Sequence, residues 1–157
     1  MHFVFDGLSQ KIFTNTKAKL PKNNKAGVVY KIQCMGNSQE ECDGIYIGET
    51  SKKLDERIKR HRSDINANKT NKKLAGCTAL IKHINERQHR FNLDTAKIIN
   101  NNQSNAYKRK FTESTQIQFH KPTPVNYKVD TENLNTTYCN IINKYKVIQN
   151  RKRVRKK

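Results

Sequence analysis

Acidic residues are scarce in this chain. Thirteen Asp and Glu stand against 32 Lys and Arg among 157 residues, a net charge of +19 at pH 7. Such an excess calls for an anionic partner, nucleic acid before any other, bound with strong salt dependence. No long amphipathic basic helix stands out, which argues against a membrane surface. No apolar run approaches the ~18 residues of a membrane span. The leading MHFVFDGLSQ has neither a positively charged start nor a continuous apolar segment, so it does not read as a secretory signal. Internal repeats are missing as well. The expectation is an intracellular chain in which disulfides are disfavoured. The four cysteines, Cys34, Cys42, Cys77 and Cys139, are then buried thiols, metal ligands or reactive groups.

What is present is concentrated between Gly27 and Arg62. The length suits one domain with a modest core. Residues 1–25 read as an extension: Phe3, Val4 and Phe5 as a strand, Leu8 and Ile12 as one helical turn, then a polar, basic linker. Val28, Val29, Tyr30 and Ile32 favour a strand, and Ile45, Tyr46 and Ile47 a second. The intervening MGNSQEECDG is turn chemistry, so the two form a hairpin. Their apolar residues do not alternate cleanly, which implies cover on both faces. Thr50 or Ser51 can cap a helix whose buried stripe is Leu54, Ile58 and Ile65. Arg57 and His61, four apart, belong at the rim of that stripe.

A second helix is expected from near Thr78 through Ile84. A third strand follows among Phe91, Leu93, Ala96, Ile98 and Ile99. Ser104 can cap a third helix with Tyr107, Phe111 and Ser114 on one face, stopped by Pro122 and Pro124. The stretch from Val125 to Tyr145 reads as irregular or strand-like. NRKRVRKK closes the chain as a like-charged tail: disordered, nucleic-acid-attracting or a nuclear address. The order β-β-α-α-β-α gives a small α/β (α+β) fold, a short, mainly antiparallel three-stranded sheet with helices against it. The divisions are 1–25 extension, 26–145 domain and 146–157 basic tail.

Cutting a phosphodiester requires a water to be activated, a divalent metal or the phosphate to be held, and cations to offset developing charge. Arg57 could grip phosphate with two parallel donors. Tyr30 or Tyr46 could act as a base if nearby cations lower its pKa from ~10. Glu113 could hold a largely hydrated Mg²⁺. The same residues also read as ordinary strand aromatics, solvated helix positions and a surface ion pair. Two cysteines, Cys34 and Cys42, and two histidines, His83 and His89, suit tetrahedral zinc. The seven-residue gap between the cysteines is longer than usual, and two loop thiols with two surface histidines remain the other reading.

The paired runs VVY (28–30) and YIG (46–48), followed by ET and a helix containing RIKRH, resemble the GIY-YIG nuclease family. Val28 and Val29 stand where that family usually has glycine and isoleucine. GVVYKIQC, CDGIYIGET, LDERIKRHRSDI, ALIKHINERQHRFNLDTAKII, KRKFTESTQI and DTENLN are most similar to the C-terminal GIY-YIG domain of Penelope-like retroelements. The resemblance covers roughly residues 25–128 and implies a metal-dependent endonuclease that nicks DNA for integration, normally fused to a reverse transcriptase. The chain is too short to hold a polymerase. A fragment, an isolated domain or a degenerate copy is expected, in the nucleus, with a reverse transcriptase as partner in cis or in trans.

The resemblance implies that Tyr30 or Tyr46 helps activate water, Arg57 stabilises phosphate charge, and His61 relays a proton or contacts phosphate. It also implies that Glu113 binds one Mg²⁺ or Mn²⁺, that Asn126 hydrogen-bonds near the site, and that Cys34, Cys42, His83 and His89 hold zinc. Lys52, Lys53, Arg60, Arg62, Lys72 and Lys73 are the candidates for the DNA backbone. One site per chain favours nicking by a monomer, and cutting both strands would need a weak dimer or two visits. The competing class is a catalytically inactive, basic nucleic-acid-binding module stapled by zinc.

Overall fold

A computed structural model describes residues 24–70, 78–101, 104–132 and 134–154. The expected N-terminal strand and helical turn, Cys77, and the Lys72–Lys73 pair all lie outside the described residues. The strands are β1 (Val28–Gln33), β2 (Ile45–Thr50) and β3 (Lys97–Asn100). They form one antiparallel sheet in the order β2-β1-β3. The helices are α1 (Leu54–Thr70), α2 (Ala79–Arg87), α3 (Ala106–His120) and α4 (Thr136–Val154). The α+β architecture expected from the sequence is the one observed.

Both faces of the sheet are covered, as the lack of alternation implied. Val28, Tyr30, Ile32 and Tyr46 pack on one face with Leu54 and Ile58 of α1 and with Ala79, Leu80 and Ile81 of α2. Val29 and Ile47 pack on the other with Ile117 of α3. Ile117 is the one buried aliphatic side chain of α3, and burying it contributes about 1.5–3 kcal/mol.

β2 is an edge strand, and its edge is closed by the segment after α3. Ile45 N donates to Thr123 O at 3.0 Å, and Val125 N to Ile45 O at 2.9 Å. Beyond that, the side chain of Asn126 takes over the strand's pairing. Its Oδ1 accepts from Ile47 N (3.0 Å) and its Nδ2 donates to Ile47 O (2.8 Å). An amide carries one acceptor and two donors, so it can replace a neighbouring peptide at an otherwise open edge.

Several expectations need correction. Neither Thr50 nor Ser51 caps α1: the helix begins at Leu54, and Thr50 Oγ1 accepts from Lys52 N at 3.1 Å in the turn before it. The cap of α3 is Asn105, not Ser104. Its Oδ1 accepts from Lys108 N, and an amide oxygen serves a helix start as well as a hydroxyl does. The third strand is shorter than the apolar run suggested. Phe91 forms only a bridge to Cys34, and Leu93–Thr95 is a 3₁₀ turn started by Asn92, which accepts from Asp94 N. On α3, Tyr107 and Phe111 face out, while Arg109, Ser114 and Ile117 are buried.

The largest difference is α4. Residues 136–145 are helical, not irregular, and the helix runs on through the expected tail to Val154. Asn135 Oδ1 accepts from Thr137 N at its start. The helical spacing of Tyr138, Ile141, Tyr145 and Ile148 straddles the boundary assumed at residue 145, so neither half displayed the period alone.

Candidate functional site

Register places the two motif tyrosines on one face. Tyr30 lies opposite Gly48, and Ile32 opposite Tyr46. A Cβ on Gly48 would stand 2.7 Å from Tyr30 Oη, 2.9 Å from its Cζ and 3.0 Å from Tyr46 Cε1. Glycine is required there because both phenols cross the bare backbone. His61 joins the two phenols from α1. The three rings pack together, Tyr30–Tyr46 at 6.4 Å, Tyr30–His61 at 6.1 Å and Tyr46–His61 at 5.4 Å between centroids.

Tyr30 Oη lies 2.7 Å from His61 Nε2 and accepts from Arg57 Nε at 3.3 Å. The hydroxyl proton is thus free to point at the imidazole. His61 is 1 % exposed, deeper than the rim position expected for it. A side chain this deep presents almost no surface to a phosphate outside. Burial, with the Arg57 cation behind it, holds its pKa down at about 4, so it is neutral. Tyr30, 0 % exposed, is pushed well above its usual range by burial and then by Tyr46. Tyr46, 7 % exposed, is pushed up to about 12 by burial, against the pull of Arg57. Arg57 hydrogen-bonds both hydroxyls and is only half-buried.

Glu113 reaches the group from α3 on the other side of β2. Its charge acts on both tyrosines, and Arg57 acts on it. Burial raises its pKa to about 7, followed by the Glu49 and Asp130 carboxylates, while the Glu49 backbone N–H and Arg57 pull it down. Burial together with the Glu49 and Asp130 carboxylates therefore keeps this carboxyl part-protonated near neutral pH. Asn126 borders the site through Ile47, and its Nδ2 also lies 3.4 Å from Asp130 Oδ2.

An open cleft of about 510 Å³ adjoins Arg57, lined also by Glu49, Thr50, Ser51, Lys52, Glu56 and Arg60. Two of the expected phosphate contacts, Lys52 and Arg60, are there, and Lys53 is exposed beside them. Arg62 is not on this side. It lies about 140° around α1 from Arg57 and pairs with Asp94 at 2.8 Å.

Glu49, Arg109 and Asp130 were missed from the sequence. Arg109 is buried and donates from Nε to Glu49 Oε2 at 2.7 Å and from Nη1 to Ser104 O at 2.8 Å. Ser114 Oγ donates to Asp130 O at 2.6 Å. One signal was there to read: Arg109 is four residues before Glu113, hence on the same helical face.

The second cluster joins Cys34, Cys42, His83 and His89. Cys34 Sγ lies 3.5 Å from His83 Nε2 and 3.7 Å from His89 Nδ1. Cys42 Sγ lies 3.7 Å from His83 Nε2, and the two histidine nitrogens are 3.2 Å apart. Ordinary Zn–S and Zn–N lengths at tetrahedral angles give edges of about 3.6 Å for S to N and about 3.3 Å for N to N. The cluster is compatible with a structural zinc. Backbone donors face both sulfurs, Gly36 N at 3.4 Å from Cys34 and Gly44 N at 3.3 Å from Cys42. Gly36 has φ +67°, and a Cβ there would meet Glu40 O at 2.2 Å, so the loop needs glycine to turn back. Gln88, at φ 55°, ends α2 and swings His89 back beneath His83. Glu40 Oε2 stands 3.4 Å from His89 Nε2, the position of a carboxylate that orients a metal-binding imidazole.

Comparison with family models, with curated proteins and with solved structures finds no match for this chain.

Proposed function

We propose that the chain is a metal-dependent DNA endonuclease of the GIY-YIG type, acting as a nicking enzyme of a retroelement alongside a reverse transcriptase. The observation that carries the reading is the convergence of Tyr30, Tyr46, Arg57 and His61, with the charge of Glu113 acting on both phenols from α3, beside a cleft with Lys52 and Arg60 on its wall. Most of the chain's positive charge serves the DNA backbone without reading sequence.

In this reading Arg57 receives the scissile phosphate with its planar fork. Water attacks phosphorus and the bond to the leaving sugar oxygen breaks. The water's proton passes to Tyr46, the more open phenol, as Tyr46 gives its own to Tyr30, and the departing sugar oxygen takes a proton from solvent. Tyr30 can hand its own hydroxyl proton to Nε2 of His61. Phosphate paired with Arg57 also cancels the cationic push on His61, which makes the imidazole a better acceptor at the moment it is needed. Mg²⁺ or Mn²⁺ at Glu113, when bound, supplies positive charge against the charge developing on the phosphate. Zinc on Cys34, Cys42, His83 and His89 holds the hairpin loop to α2 as a structural staple.

A second reading, a catalytically inactive DNA-binding module, is favoured by the burial of Tyr30 and His61, which would suit a purely structural hydrogen bond. Nicking of supercoiled plasmid in Mg²⁺ separates the two. Glu113→Gln is expected to abolish nicking and leave DNA binding nearly intact. Undiminished cutting by that variant removes Glu113 from the site.

A further inference from the structure

The helix α4 carries an apolar seam that the described chain covers only along one edge, where Tyr138 meets Phe111 and Tyr145 meets Phe119 of α3 at 5.4 and 6.3 Å between ring centroids. Tyr138, Ile141, Tyr145 and Ile148 recur at spacings of 3, 4 and 3 residues, the a and d positions of two heptads. Each is between 48 and 57 % exposed. The helix is held to α3 by the adjoining flank as well. Cys139, Ile142, Lys146 and Gln149 are half-buried, Asn143 Oδ1 accepts from Gln118 Nε2 at 3.4 Å, and Lys146 Nζ bonds Lys121 O. Those residues occupy the b, e and f positions. The seam continues onto α3 through Phe111, whose ring meets Tyr138 edge-on at 5.4 Å. A contiguous exposed stripe of this length marks an interaction surface.

The geometry points to α4 as a docking helix for a partner helix bearing its own apolar seam and acidic flanks. Charge decides the occupant. On the open side of the seam the two g positions are Lys144 and Arg151, both exposed, and no acidic residue occurs after Glu132. In paired helices the e and g charges select the partner. A second copy fits poorly. Side by side in parallel its register would set Lys144 against Gln149 and Arg151 against Lys156, with no acid for either base, and antiparallel it would set base against base. An acidic partner pairs with both bases while its apolar seam covers Ile141 and Ile148. Two heptads on each side predict weak, reversible association, rim charges adding speed and selectivity more than affinity.

The test uses the full chain and two synthetic peptides of about three heptads, identical in an Ile/Leu seam but carrying Glu or Lys at every e and g position. Fluorescence anisotropy is expected to show the Glu peptide binding at least tenfold more tightly than the Lys peptide. Ile141→Ser with Ile148→Ser should lose at least tenfold of that binding, with helix content checked by circular dichroism. Lys144→Glu with Arg151→Glu keeps the seam and should invert the preference, which decides the matter if the serine variant unfolds α4. The proposal is overturned if the Glu peptide binds no better than the Lys peptide. It is equally overturned if the chain dimerises through the seam in sedimentation, or if the serine substitutions weaken duplex DNA binding and leave peptide binding unchanged.

Discussion

Removing zinc should be the most informative single perturbation of the fold. The four ligand atoms tie together segments far apart in sequence: Cys34 ends β1, Cys42 lies in the hairpin loop, His83 is on α2 and His89 follows its C-terminus. Without metal the cluster has little to hold it. Burial pushes the Cys34 thiol up to about 11, so the sulfur stays protonated at neutral pH and offers no charge to its neighbours. Free zinc a thousandfold above its dissociation constant stabilises the folded form by about 4 kcal/mol. At about 3 °C per kcal/mol for a chain of this size, chelation should lower Tm by about 12 °C. Thermal unfolding with and without a strong zinc chelator measures this, alongside metal analysis of purified protein. Cys42→Ser should start near the lower Tm and respond little to chelator. Protein that purifies without zinc and ignores chelation would refute the metal assignment and leave four side chains clustered for packing alone.

The remaining expectations concern the tyrosine cluster. His61 is neutral in the fold with a pKa of about 4, below its ordinary 6.5, so the unfolded chain binds a proton that the folded chain refuses. Stability should therefore fall as pH drops from 6.5 toward 4, by up to about 3 kcal/mol, and urea midpoints for His61→Gln should fall less over that window. Gly48→Ala drives a Cβ into the Tyr30 phenol and should cost about 1–3 kcal/mol by urea unfolding; unchanged stability would mean the rings have room to give. Asn126→Ala leaves Ile47 N and O without their partner at the sheet edge and should cost about 1–3 kcal/mol in the same assay.

The hairpin, α1 to α3 and the sheet were legible because their signals are local. Strand-favouring runs bracket a turn, and Leu54 and Ile58 repeat on one helical face. The sequence also indicated which of Tyr30, Tyr46, Arg57, His61 and Glu113 to group. It could not indicate depth. His61 is buried against the Tyr30 and Tyr46 rings, which come from two different strands, a fact of three dimensions. The Glu49–Arg109 pair was hidden because it joins residues 60 apart. Asn126 was expected near the site, but its work as a substitute strand partner depends on an edge that only the folded sheet defines. α4 was lost to a boundary drawn through the middle of its period, and a count carried across residue 145 would have found it.

The central claim is that Arg57 and its neighbours cut DNA. Supercoiled plasmid incubated with the chain, with and without Mg²⁺, tests it most directly. Wild type is expected to convert the plasmid to the open circular form only with the metal. Arg57→Ala is expected to lose that conversion while still retarding DNA in a gel, since Lys52, Lys53 and Arg60 remain. A wild type that binds DNA but never nicks it, or an Arg57→Ala that nicks at the wild-type rate, would contradict the account.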